Sequence, residues 1–272
     1  MAIICKSRWI DAFFAGVAFL PVLIGSPVAA KPLSLDEKIA ILVQSYPEMI
    51  DRAGDGHVYL KNGGRPVLID DGRRKSHFDK LETGDIEDSL QQAYPAGPCA
   101  TIPGVNVDPG RIRSEPLMRA LYGNSAKAVR DSLVPVDWFG QTLQVTRLNG
   151  VSTALAKVRD DLSADLTLKP YLAPSAGVFN WRKVSGQANL SVHSFGAAID
   201  LNTKFADYWV WAGGRPGKVP EYRNRIPLKI IAIFEKHGFI WGGRWYHYDT
   251  MHFEYRPELL TIASREGVSA CP

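Results

Sequence analysis

Cysteine is scarce in this chain. Of its 272 residues only three are Cys and six are His, so no cysteine-rich metal module or dense disulfide scaffold can be assembled from it. Charge of one sign is scarce as well. The formal excess is +4, too small to mark a nucleic-acid binder. Internal repeats and low-complexity tracts are missing, which excludes solenoids and extended disordered segments. Long apolar runs are missing too: the one from about Phe13 to Ile24 is interrupted by Pro21 and falls short of the roughly 20 residues a spanning helix needs.

That short run has a different meaning in context. Lys6 and Arg8 precede it, and Val28-Ala29-Ala30 offers small residues before Lys31, which is the layout of a secretory signal peptide over residues 1–30. Export to the periplasm or cell envelope is therefore expected, with no stable membrane insertion after cleavage. Cleavage would remove Cys5 and leave Cys99 and Cys271. In an oxidising compartment two remaining cysteines are expected to bridge, tying the C-terminal tail to the start of the core.

The remaining composition, 46% hydrophobic overall, suffices for one well-buried domain with a small accessory part. Ser34-Leu35-Asp36-Glu37 reads as a capping box opening a helix. His57–Leu60 and Pro66–Ile69 flank Asn62-Gly63-Gly64 and read as a hairpin. Residues 85–94 are expected to be helical. The Pro- and Gly-rich stretch 99–110 reads as a connector, dividing an accessory region, 31–98, from a main domain, 99–272. Within the latter, helices are expected at 115–122, 125–133, 151–162 and 227–237, and strands at 143–146 and 239–241. His57, His77 and His237 have no partner in sequence and read as structural.

Ser191-Val192-His193-Ser194-Phe195-Gly196-Ala197-Ala198-Ile199-Asp200 carries the chemistry. An imidazole and a carboxylate stand seven positions apart across a glycine that permits a turn. The segment then runs into a period-two pattern, with Ala198, Asp200 and Asn202 on one face and Ala197, Ile199 and Leu201 on the other. Two ligands do not make a catalytic zinc site, which takes three protein ligands and keeps one position open. A second stretch supplies candidates: in Asp249-Thr250-Met251-His252-Phe253-Glu254-Tyr255, His252 and Glu254 share one face of a short strand.

Together, Ser-x-His-x-x-Gly-x-Ala-x-Asp followed by Asp-x-x-His-Phe-Glu resembles the D-alanyl-D-alanine metallopeptidases of bacterial cell-wall metabolism, which include vancomycin-resistance-type D,D-carboxypeptidases and L-alanyl-D-glutamate endolysins. The resemblance covers roughly residues 175–260. It implies an α+β fold, with a small antiparallel sheet carrying a Zn²⁺ site on one face and helices on the other, preceded here by a helical and hairpin extension. It implies zinc ligation by His193, Asp200 and His252, with Asp249 as the base. Glu254 is the competing base, its alternative role being to orient a histidine ring. Arg182, eleven positions before His193, is expected to grip a carboxylate or a developing oxyanion. Ser191 and His247 are expected near the substrate, and Trp209 and Trp211 to wall the groove or to cover the sheet. The function implied is hydrolysis of peptidoglycan stem peptides. A zinc-holding wall-binding module without turnover, or a zinc hydrolase for another substrate, are the competing readings.

Overall fold

The polar start and apolar stripe after Ser34 give the first helix. The computed structural model, which describes residues 1–2, 31–184 and 186–271, has α1 at Leu35–Ser45. Ser34 and Glu37 cap each other reciprocally at its N-terminus, and Ile39, Ile41 and Leu42 are buried. The signal-peptide reading falls almost wholly on residues 3–30, outside the described residues.

β1 (Ile50–Gly54), β2 (His57–Leu60) and β3 (Val67–Leu68) form an antiparallel sheet in that order, so the expected hairpin is present as its last two strands. α2 (His77–Thr83) follows, begun by a second capping box from Ser76 and Asp79. Helix across 85–94 is limited to α3, Ile86–Ser89. The chain leaves the helix because Tyr94 is pulled into the core, where its hydroxyl donates to Glu235 and accepts from the Trp241 N–H.

α4 (Glu115–Tyr122) lies where the pattern placed it. The helix expected at 125–133 is shorter, α5 at Ala126–Arg130, with Ser125 as its N-cap. Leu133 instead opens β4 (Leu133–Trp138), which pairs with β5 (Gln141–Thr146). Pro135 hides this strand in the sequence, yet a two-stranded ribbon leaves β4 a free edge where proline is tolerated. α6 (Val151–Ser163) and α7 (Lys169–Leu172) lead toward the first motif.

The sheet that matters for function has the order β6–β8–β7, all antiparallel, from β6 (Ala198–Asp200), β7 (Phe239–Trp241) and β8 (His252–Tyr255). Its two faces differ sharply. Ile199 and Trp241 pair with Phe253 on one face, and Phe253 stacks on Phe234 of α8 (Leu228–Lys236), ring centroids 4.0 Å apart. On the other face Ala198 is opposite Glu254 and Asp200 is opposite His252. Burial of this aromatic layer fixes the register, because a one-residue slip would exchange the two faces.

α9 (Pro257–Glu266) closes the chain against α1, with Lys38 paired to Glu266 at 3.3 Å and the Tyr46 hydroxyl on Glu258 at 2.7 Å. One continuous apolar cluster runs from Ile39 to Ile262. Cys99 and Cys271 form the expected disulfide. Mixed helices and small antiparallel sheets make the fold α+β. No helix among the described residues is long and apolar enough to cross a membrane.

Candidate metal and catalytic site

His193 stands on a single 3-10 turn, Val192–Phe195, where the Ser191 hydroxyl accepts the His193 backbone N–H as N-cap. Gly196 ends that turn in the left-handed region at φ 66°, and a Cβ there would lie 2.7 Å from Leu133 Cδ2. Only glycine meets both demands. His193 Nδ1 is 2.7 Å from the Val178 carbonyl. Because a carbonyl only accepts, Nδ1 carries the proton, and Nε2 turns a lone pair toward the sheet.

His252 is oriented the opposite way round. Its Nε2 lies 3.0 Å from Glu254 Oε2, so Nε2–H donates and Nδ1 holds the lone pair. His193 Nε2 and His252 Nδ1 are 3.2 Å apart. Asp200 Oδ1 lies 3.2 Å from the first and 3.0 Å from the second. Three lone-pair atoms thus converge with no proton of their own between them. A tetrahedral zinc with bonds of 2.0–2.1 Å places neighbouring ligand atoms about 3.3 Å apart, which these separations nearly match. The residues therefore fit a metal bound by two imidazoles and one carboxylate.

The electrostatics agree with that fit. Burial raises the Asp200 carboxyl, but the two imidazoles, His193 first, outweigh it and hold the group well below the usual carboxylate range. Burial also opposes charge on His252, yet Asp200 and Glu254 push its pKa up to about 9. The cluster therefore attracts a cation, and a proton takes that role when nothing else does.

Asp249 lines the same cleft, which has a volume of about 550 Å³. Its N–H donates to the Gly242 carbonyl, and its backbone bridges to Tyr208. A Cβ on Gly242 would fall 2.5 Å from the Asp249 carbonyl, so glycine is needed for this close approach. Asp249 Oδ1 is buried without a hydrogen-bond partner among the described residues. Burial first, and then the charge of Asp200, push its pKa up to about 6, well placed for a proton acceptor near neutrality.

Glu254 sits elsewhere. It is fully buried, holds His252, and accepts from Arg113 Nε at 3.1 Å and from Arg256 Nη1 at 3.3 Å. Arg113 first, and then His252, overcome the cost of burial and keep its carboxyl well below the usual range. It does not line the cleft. His247, expected at the substrate, is also behind the cleft, 1% exposed with both ring nitrogens engaged. Ser191 and Arg182 do line the cleft, and the Arg182 guanidinium reaches the Lys183 carbonyl. Trp211 is 60% exposed on the rim, whereas Trp209 is buried.

Sequence reasoning missed Arg111 and Arg113, on the segment just past the connector. Arg113 anchors Glu254, while Arg111 lines the cleft beside Asp249 with its Nε unpartnered and burial lowering its pKa. The only signal was a pair of arginines flanking an apolar residue, Ile112, which is buried in a turn and bend.

No curated protein and no solved structure matches this chain. Residues 185–255 match the family model described as D-alanyl-D-alanine carboxypeptidase. That segment holds His193, Asp200, Asp249, His252 and Glu254, and over it the chain is similar to that family.

Proposed function

We propose that this protein is an exported zinc-dependent peptidase that hydrolyses peptidoglycan stem peptides in the manner of a D-alanyl-D-alanine carboxypeptidase. In this reading residues 31–98 are the accessory region and 99–272 the peptidase domain. The observation that carries the proposal is the convergence of His193 Nε2, His252 Nδ1 and Asp200 Oδ1 beside the unpartnered oxygen of Asp249. Zinc held there would supply Lewis acidity and a water acidified to near neutral pH.

The remaining work falls to the chain's own residues. Asp249 accepts the proton of the attacking water at Oδ1 and passes it to the leaving amine as the amide C–N bond breaks. Arg111 and Arg182 offer positive charge to the developing oxyanion or to the substrate's terminal carboxylate. Glu254 fixes the His252 ring through Nε2–H, and Arg113 and Arg256 hold Glu254 in turn. Ser191 shapes the turn that presents His193.

The test is incubation of the mature chain with a D-Ala-terminated stem pentapeptide and with purified sacculi, with and without a chelator. Release of D-Ala or of new peptide ends, abolished by chelation and restored by zinc, is expected. Zinc binding with no cleavage of either substrate would overturn the reading in favour of a wall-binding module.

A further inference from the structure

Behind the cleft lies a second group of metal-ligating side chains, His77, Asp108 and His247. His77 opens α2 in the leading region, Asp108 belongs to the connector, and His247 stands two positions before Asp249. Asp108 Oδ2 is 2.7 Å from His247 Nδ1 and 2.8 Å from His77 Nε2, and its Oδ1 accepts the His247 backbone N–H at 2.9 Å. The two rings stack at 5.9 Å and are nearly parallel, 11° apart.

Two features separate this group from the cluster of His193, Asp200 and His252. Its separations are those of hydrogen bonds, well short of the roughly 3.3 Å edge of a zinc tetrahedron. In addition, His247 Nε2 accepts the Gly217 N–H at 3.2 Å. The ring proton is thereby placed on Nδ1, the atom a metal would have to take. His247 donates to Asp108 as a neutral imidazole. His77 makes the looser contact, close to the same oxygen but out of line for a hydrogen bond.

The group also touches the segment that carries Trp209 and Gly217, beside the cleft wall. The Trp209 ring meets His247 edge-on at 4.9 Å, and Phe78, next to His77, does so at 6.3 Å. The Trp209 backbone N–H donates to the Tyr248 carbonyl, and Tyr208 bridges to Asp249. Tyr246 O–H meets the same loop at Gly217 and Val219. We infer that His247, clasped by Asp108 and His77, is a positioning residue that fixes Asp249 and the 208–211 wall relative to the metal ligands, making the leading region part of the working site. The activity consequence rests on the peptidase reading.

Asp108→Asn and His77→Ala, made in the full mature chain and loaded with zinc, test this. Zinc stoichiometry should stay at one per chain, and affinity measured by chelator competition should be unchanged. Amide exchange at residues 209, 217 and 246–249 should accelerate at least tenfold in both variants, while the β6–β8 ladder stays protected. The kcat on a D-Ala-terminated peptide should fall about 10- to 100-fold, the scale of a small misplacement of reacting groups, with KM moving less. His77→Gln, which restores side-chain volume and a polar group beside Asp108, should recover part of the loss. Unchanged exchange in both variants would overturn the clasp. So would two zinc ions per wild-type chain falling to one in His77→Ala, which would make the group a metal site. Absence of turnover in the wild type would sink the peptidase reading alone, because exchange still reports on the clasp.

Discussion

Asp200 and His252 stand directly opposite each other in the β6–β8 ladder, 52 positions apart in sequence, with Oδ1 and Nδ1 3.0 Å from one another. Cross-strand partners share a face, so the pairing register itself brings together two of the three candidate ligands, and the turn ending at Gly196 delivers the third. If these three residues hold the metal, His193→Ala and His252→Ala should each lose near-stoichiometric zinc. Metal analysis after dialysis is the measurement, and full retention in both would overturn the ligand assignment.

Asp249 and Glu254 differ in what surrounds them, and their variants should differ accordingly. Asp249→Asn removes a proton acceptor at an oxygen with no other partner, so turnover should fall about 10²- to 10⁴-fold with zinc still bound. Glu254→Gln weakens the hold on His252, and a loss of about 10- to 100-fold in metal affinity or activity is expected. Both are assayed at saturating zinc. Near-normal turnover in Asp249→Asn together with none in Glu254→Gln would move the base onto β8.

Asp108 supplies a pH test with a definite sign. Burial raises its carboxyl, but His247 and then His77 outweigh burial and hold it well below the usual range. A folded pKa below the unfolded value of about 3.9 gives stability that is complete above that value and is lost as pH falls through the folded one. Asp108→Asn should therefore show a shallower loss of unfolding free energy below about pH 4, by up to one proton in the slope. Denaturant titrations at several acidic pH values would show it; an equal slope in the variant would count against the clasp.

The Cys99–Cys271 bridge spans a sequence separation of 172 residues. Chain-entropy reasoning assigns closure of so long a loop roughly 5 kcal/mol, with measured cases often lower. Cys271→Ser should lower the melting temperature by several degrees without altering zinc content. An unchanged melting temperature would show that the tail is held by packing alone.

The parts legible in the sequence are those specified locally. The capping box at Ser34 and Glu37, the helices at 115–122 and 151–163, and the hairpin around Gly63 all follow from short-range pattern. β4 was obscured because Pro135 argues against a strand until its free edge is seen. Helix across 85–94 was overestimated because Tyr94 is claimed by Glu235, 141 residues away.

The sequence by itself determined the order and spacing of His193, Asp200, Asp249, His252 and Glu254, because turn chemistry at Gly196 and period-two alternation act over a few residues. Only the tertiary structure decided which of these face the cleft. Glu254 shares a strand face with His252, yet Arg113 and Arg256 draw it behind the ligand. His247 turns away because Asp108 and Gly217 each claim a ring nitrogen, and Arg111 enters from the segment just past the connector, which carries no motif. Those outcomes depend on charges and donors brought together from distant segments, and buried polar groups settle wherever their partners are.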